Sequence, residues 1–479
     1  MLITELFQGI NEVIEIRGQA DVHDLCIDSR KVKAGDLYYC QKGTRFDGHD
    51  FAAAVAEKGA AALVVSRFVD VDIPQILVKD VRQALSLSAA AFFGHPAKGM
   101  RIIGVTGTKG KTTTTYLIKA VLEAAGVKTG LIGTMFTMIG DKQIPGSLTT
   151  PEAIDFQRTL RMMRDEGVDT LVMEISANAV TLKRVYGVSF DIGVFTNFSQ
   201  DHLDFYGTMD NYFAAKKAFF EEGYVEKAVI NVDDERAADI VSVLDEYIPF
   251  GVIAHDGAYA KDINLVERGI NYTMVYKNES MDLSLNLPGL FNVYNSMAAA
   301  ICCLELGCSA QAVENGLEQV SAVPGRIELL KTDTPYRVIL DYAHSPDSLV
   351  NILKAVRQFT SGRLIVLFGC GGNRDTDKRP VMGRIAGEMA DFSILTSDNP
   401  RGEEPMEIIA QIEEGIKTTE GKYIVIEDRT EAIREGLKMA KSGDTLVLAG
   451  KGHETYQEVK GVKKPFDERI IVKQLLEEI

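Results

Sequence analysis

The segment Ile103-Gly-Val-Thr-Gly107-Thr108-Lys109-Gly110-Lys111-Thr112-Thr113 combines small, conformationally free residues with cations and hydroxyls. Glycines let backbone N–H groups face an anion, a lysine can reach the outer phosphates, and a following threonine hydroxyl can ligate Mg²⁺. The spacing departs from the strict G-x-x-x-x-G-K-[ST] pattern because Val105 stands at its first position. A strand, a loop and a helix fall where such a loop needs them, and the segment reads as a nucleoside-triphosphate site. Such a site by itself does not choose among kinase, hydrolase, motor and ligase. Glu174, in Met173-Glu174-Ile-Ser176, ends an expected strand and is a candidate Mg²⁺ ligand near the phosphates. His202, in Thr196-Asn197-Phe-Ser-Gln-Asp201-His202-Leu203-Asp204, ends the next one. A lone histidine is more often structural; among these polar neighbours His202 reads as a metal or substrate ligand.

An α/β chain of three domains must position these groups. Single cores stop growing near ~250–300 residues, so 479 residues imply about two to four domains. Residues 1–98 mix short apolar runs (36–40 and 61–65) with an Ala-rich helix over 51–58, as in a small α/β domain. Gly94-His-Pro-Ala-Lys-Gly99 reads as its exit linker. Residues 99–325 open with a strand over 101–106 and a helix over 112–125, followed by strands over 170–175, 192–197 and 228–231. Alternating strands and helices imply a mainly parallel sheet covered on both faces, with ligands outside the carboxyl ends of its strands. Residues 326–479 repeat the pattern, with strands expected over 338–342, 364–369, 392–397, 423–426 and 445–449, as in a Rossmann-like doubly wound domain.

Composition narrows the partners. Hydrophobic residues are 46% and charged residues 25%, as in soluble globular proteins, and the formal net charge is −16. That balance argues against a general nucleic-acid binder, whose surface must neutralise phosphates. No apolar run approaches the ~20 residues of a membrane span, and the N-terminus is too acidic for a signal peptide. The six cysteines, scattered through apolar segments without zinc-type spacing, read as buried thiols of a cytoplasmic protein.

In order and spacing, several motifs together resemble the Mur ligases. They are Gly107 to Thr112, Glu174-Ile-Ser176, Asn197 to Asp204, Lys216, Leu287-Pro-Gly-Leu-Phe-Asn292-Val-Tyr-Asn295, Gly325-Arg326, Asp341-Tyr-Ala-His344-Ser-Pro-Asp347 and Gly450-Lys-Gly-His453-Glu454. Asp28-Ser29-Arg30 and Gly35-Asp36 extend the match to the N-terminal zone, so it covers essentially the whole chain. The resemblance implies an ATP-dependent, amide-forming, ADP-releasing ligase of peptidoglycan synthesis, with the roles in cell-wall biogenesis, cell shape and cell division that follow, working as a monomer. By this resemblance Lys111, Glu174, His202 and Lys216 are the catalytic set, and Thr112, Glu174, His202 and Lys216 surround Mg²⁺. Gly107, Thr108, Lys109, Gly110, Lys111, Thr112, Thr113, Asn292, Asn295, Arg326 and Asp341 would hold ATP. Lys216 aligns with a lysine that the family carries as a carbamate. A protonated ammonium would repel Mg²⁺, whereas a neutral lysine that has taken up CO₂ offers an anionic oxygen. Adjacent Lys217 reads as a solvated surface lysine.

The acceptor implied by the resemblance is UDP-N-acetylmuramoyl-L-alanyl-D-glutamate, with Ser29 at its uridine end and Thr149, Thr150, Ser176 and Arg184 on its sugar and peptide. The incoming amino acid is implied by Asp398-Asn399-Pro400-Arg401, the variant associated with meso-diaminopimelate. Arg401 can clamp that substrate's second carboxylate with two charge-assisted hydrogen bonds, and Arg374, Gly450 and Glu454 complete the pocket. Ala177-Asn178 and Leu182 depart from the family, where Ser-His and a glutamine are usual. Open alternatives at this point are L-lysine as the amino acid, a divergent acceptor, a folylpolyglutamate synthase-like or D-Ala-D-Ala-adding relative, and a nucleotide-binding protein without turnover.

Overall fold

The computed structural model describes residues 1–43, 46–140, 142–146, 148–221, 223–253, 257–266 and 269–479. Three larger sheets and the two-stranded hairpin Tyr456–Val459/Val462–Pro465 organise them. The first runs in the order Val13–Arg17, Gln75–Val78, Ala62–Val65, Asp36–Tyr39, Asp24–Cys26, with only the Val13–Arg17 strand antiparallel to its neighbour. The helix Val81–Phe92 closes its core, capped by the Asp80 carboxylate on the N–H groups of Arg82 and Gln83.

The second sheet is centred on Arg101–Thr106, with Thr170–Glu174 and Phe190–Phe195 as its parallel neighbours. The chain first leaves that strand toward Thr129–Ile132 and later continues on the other side through Phe190–Phe195, Val225–Asn231 and Tyr247–Gly251. This change of direction opens a crevice at the carboxyl ends of the central strands, where the sequence places its phosphate loop. The sheet is larger than a parallel core. The strands Phe136–Ile139 and Lys142–Pro145 extend one edge, and Gly269–Tyr276 and Glu279–Leu285 extend the other, all antiparallel. The strands Gly269–Tyr276 and Glu279–Leu285 alternate polar and apolar residues, as strands with one wet face do, whereas the central parallel strands Arg101–Thr106 and Thr170–Glu174 are buried along nearly their whole length. The helix Phe291–Glu305, buried over Asn292, Val293 and Asn295–Cys303, packs against the helix Lys111–Ala124.

The third sheet orders Glu328–Leu329, Arg337–Asp341, Thr445–Ala449, Leu364–Phe368, Phe392–Leu395 and Tyr423–Val425, parallel beyond its first short strand. Beneath it the fully buried Arg429 and Glu468 pair at 2.8 Å and tie the C-terminal helix Glu468–Glu478 to the sheet. Five cysteines are buried and Cys308 is half-buried; all six are free thiols. No described helix is long and apolar enough to cross a membrane.

The units are joined by specific contacts. Ala153 and Ile154 enter the same core as the N-terminal sheet, and Arg164 donates to the Gly94 carbonyl at 2.9 Å, holding the linker. On the other side Arg326 reaches Thr112 (3.3 Å), Gln200 reaches Asp375 (3.2 Å) and Arg374 reaches Asp204 (3.5 Å).

Candidate active site

The phosphate loop forms as its residue types require. Gly110 caps the helix Lys111–Ala124 in the left-handed region (φ 86°), and a Cβ there would lie 2.4 Å from Asn295 Oδ1. The Lys111 ammonium turns back onto the loop, donating to the carbonyls of Gly107 (2.8 Å) and Thr108 (2.9 Å). Burial lowers its pKa to about 8. Lys216 is fully buried and donates to the same Gly107 carbonyl at 2.7 Å. Burial, and then the charge of Lys111, hold its pKa well below the ordinary lysine value. Lys217 instead pairs with Glu221 at 3.1 Å on the outer face of the same helix.

Thr112 Oγ1 donates to Glu174 Oε1 (3.0 Å), which also accepts from the Thr134 amide (2.9 Å). Lys109 pairs with Asp201 at 3.0 Å and takes Asn197 as acceptor for its N–H. His202, left-handed at φ 54°, caps the short helix Leu203–Tyr206 and sets its ring against Tyr212. Burial lowers its pKa, keeping the imidazole neutral.

These groups open into a cavity of about 840 Å³. It is lined by Thr108, Lys109, Gly110, Lys111, Thr112, Thr113, Glu174 and His202, and also by Asn292, Asn295, Arg326 and Asp341. Asn295 Nδ2 donates to Asn292 Oδ1 (2.9 Å) and Thr114 donates to Asn295 Oδ1 (3.3 Å), fastening the loop's helix to the Phe291–Glu305 helix. The Arg326 guanidinium lies over the Tyr342 ring, 4.9 Å from its centroid, and burial raises the Asp341 pKa. Phe250, Leu287, Phe291 and Tyr294 add apolar lining; the last three belong to the motif over 287–295, whose apolar members had no role assigned from the sequence, and Phe250 lies outside any motif. An Asn-x-Tyr-Asn stretch opening a helix was the available signal.

Thr149, Thr150, Ser176 and Arg184 gather beside Glu174. Thr149 meets Thr134 at 3.0 Å, Thr150 Oγ1 donates to the Glu174 carbonyl (2.8 Å), and Arg184 donates to the Thr150 carbonyl (3.2 Å) and to Glu152 (2.5 Å). Two buried atoms here have no partner, Arg184 Nε and Asn178 Oδ1, the latter from the segment that departs from the family pattern. Ser29 lines neither cavity and lies in the turn after the strand Asp24–Cys26 of the N-terminal sheet.

A second cavity, of about 190 Å³, is lined by Arg374, Asp398, Asn399, Arg401, Gly450 and Glu454. Pro400 shapes the loop without lining it. Lys451, fully buried, donates to Asn399 Oδ1 (3.1 Å) and Glu454 Oε2 (3.2 Å). Burial, and then Asp398, raise the Glu454 pKa. Asp398 Oδ2 is buried without a partner. The two cavities share four lining residues, Asp201, His202, Tyr342 and His344. Burial lowers the His344 pKa to about 3.

Among the described residues no three His, Cys, Asp or Glu side chains form a metal cage. That fits Mg²⁺, which is held by one or two protein oxygens together with phosphates and water. Thr112 and Glu174, hard oxygens in contact beside the loop, could serve as such a pair.

Family models match along the chain: the Mur ligase family catalytic domain over residues 21–120, the Mur ligase middle domain over 105–303, and the Mur ligase glutamate ligase domain over 325–452. The chain is 42% identical to the UDP-N-acetylmuramoyl-L-alanyl-D-glutamate--2,6-diaminopimelate ligase of Clostridium botulinum, covering 96% of each protein. It is 43% identical to the ligase of the same name from Caldanaerobacter subterraneus, covering 100% of this chain and 99% of that one. A solved structure of a ligase of that name superposes with a TM-score of 0.68 at 31% identity, covering 95% of each chain.

Proposed function

The chain belongs to the Mur ligase family, and from that premise we propose that it joins meso-diaminopimelate to UDP-N-acetylmuramoyl-L-alanyl-D-glutamate at the expense of ATP. The relatives that bear this activity in their names match over nearly their whole length. We place the domain boundaries at 98/99 and 325/326, with the acceptor's uridine end on the first domain near Ser29. We further propose that it works as a cytoplasmic monomer.

ATP would occupy the larger cavity, its phosphates against Lys111 and the loop amides and its base against Tyr294 and Phe250. Thr112, Glu174 and His202 would hold Mg²⁺, with a carbamate on Lys216 as a further anionic oxygen. When bound, Mg²⁺ neutralises the crowded phosphate oxygens. Lys216 suits carbamate formation because burial favours its neutral amine, and only the free amine adds to CO₂. Thr149, Thr150, Ser176 and Arg184 would present the acceptor's γ-carboxylate to the γ-phosphoryl group. Transfer makes an acyl phosphate and ADP. Arg374 and Arg401 would hold the carboxylates of diaminopimelate, and Asp398 and Glu454 its distal ammonium. The amine then forms the C–N bond, the C–O bond to phosphate breaks, and phosphate leaves with that electron pair. No covalent protein nucleophile is needed; positioning and charge do the chemistry.

The observation that carries this reading is the adjacency of the two cavities, which share Asp201, His202, Tyr342 and His344, as the meeting of an amine from one with an acyl phosphate in the other would require. Acceptor labelled with ¹⁸O in its γ-carboxylate tests it. One label should appear in the released phosphate, and unlabelled phosphate would exclude the acyl phosphate.

A further inference from the structure

The two guanidiniums of the smaller cavity, Arg374 and Arg401, stand on separate loops, 371–374 and 399–403, whose backbones are interlocked. Gly372 N donates to the Asn399 carbonyl (2.9 Å), Gly402 N donates to Asn373 Oδ1 (2.9 Å), and Arg401 Nη1 donates to the Gly372 carbonyl (3.0 Å). The approach is so close that a Cβ on Gly372 would lie 1.9 Å from the Pro400 carbonyl oxygen. Asn373 and Arg401 both adopt left-handed backbone, at φ 53° and 51°. Non-glycine residues there cost free energy and persist only where their surroundings impose them.

Behind the loops sits a side chain that the chemistry above does not use. Arg379, on the helix Lys378–Met389, is fully buried, so its charge must be matched by partners. Nη1 donates to Glu403 Oε2 (2.8 Å) and Gln411 Oε1 (2.9 Å), and Nη2 to Glu403 Oε1 (3.0 Å) and the Gly371 carbonyl (3.3 Å). Glu403 Oε1 also accepts the Asn373 N–H. One guanidinium therefore grips the first loop directly at Gly371, and through a single carboxylate it grips that loop again at Asn373 and the second loop at Glu403. Its planar fork makes all of these bonds at once, which a lysine ammonium cannot.

We propose that Arg379 and Glu403 are positioning residues that fix the spacing of Arg374 and Arg401 and thereby select an amino acid with two carboxylates over one with a single carboxylate. Neither residue lines the cavity, so both act through the loops. The inference rests on the proposed function for what the arginines hold, and it deepens that reading by assigning where the selectivity is set. If the two arginines are held at a fixed separation, loosening them weakens the substrate that bridges both and spares one that engages only one.

Arg379→Lys and Glu403→Gln, in the full chain, test this, with KM measured for meso-diaminopimelate, L-lysine, ATP and the acceptor. Both variants should raise the diaminopimelate KM at least about tenfold and leave the KM values of ATP, acceptor and L-lysine within about twofold, so the preference ratio collapses. Melting temperatures identify a variant that has lost its fold, and the other variant then carries the test. An equal rise for both amino acids, or a fall in kcat with every KM unchanged, would overturn the proposal. Wild-type turnover separates the two claims. A wild type that prefers lysine overturns the function assigned above and this selectivity with it. A wild type that prefers diaminopimelate, with variants that keep the preference, overturns only the positioning role.

Discussion

Replacing Gly110 by alanine separates a backbone effect from a site effect. Gly110 is left-handed, and alanine in that region costs roughly 1–2 kcal/mol. The new Cβ would also stand 2.4 Å from Asn295 Oδ1. Asn295 must then move, straining its bonds to Thr114 and Asn292, at about 0.5–1.5 kcal/mol for one lost hydrogen bond. The backbone cost acts on folding and lowers the melting temperature, whereas the displacement of Asn295 falls on the loop assigned to the phosphates and corresponds to an ATP KM raised roughly 2- to 13-fold. Gly126, just beyond the other end of the same helix, has φ 78° and open space around its Cβ. Gly126→Ala carries the strain without the collision, so it should lower the melting temperature while leaving the ATP KM within about twofold. Steady-state kinetics and thermal melts on both variants decide the matter. Equal KM effects, or a Gly110→Ala enzyme with normal ATP affinity, would refute the assignment of this loop to the phosphates.

Glu174→Gln should reduce kcat by about 100-fold or more and shift the Mg²⁺ titration to higher concentration, because the carboxylate is the charged partner of Thr112; an unchanged Mg²⁺ requirement counts against its role. Depleting CO₂ should lower activity reversibly, and ¹³C-bicarbonate should give a carbamate carbonyl signal that Lys216→Arg lacks; that signal persisting in the variant would move the carbamate elsewhere. Among the cysteines, Cys308 alone has a lowered pKa, about 7, set by its hydrogen bond with Cys303. The other five are pushed up by burial. Its thiolate forms as pH rises through about 7, so iodoacetamide should label Cys308 first and about tenfold faster at pH 8 than at pH 6; peptide mapping that finds another cysteine first would contradict this.

The sequence was most legible where periodicity and motif coincide. The strand Arg101–Thr106 and the helix Lys111–Ala124 agree with expectation to within a residue, because an apolar run, glycines and a helix start leave little choice. The strand expected over 192–197 ends at Phe195, because Thr196 and Asn197 turn to bond the loop carbonyl of Lys109. The antiparallel edges went unread, since half-wet meanders such as Gly269–Tyr276 carry a weaker pattern than buried parallel strands. At the site, residue types pointed to Lys216 over Lys217 only through family position. Burial, a tertiary property, distinguishes them physically. The clamp of Arg379 on Glu403 joins residues 24 apart through loops of left-handed backbone, which no local spacing rule reveals.

The central claim is an ATP-driven ligation of diaminopimelate, and phosphate release by purified protein with ATP, Mg²⁺ and UDP-N-acetylmuramoyl-L-alanyl-D-glutamate measures it most directly. Release should require the acceptor, rise with meso-diaminopimelate well above L-lysine, and lose its diaminopimelate dependence about 30-fold or more in Arg401→Ala, as expected for two charge-assisted hydrogen bonds. Release with lysine alone, or release indifferent to the acceptor, would contradict the account.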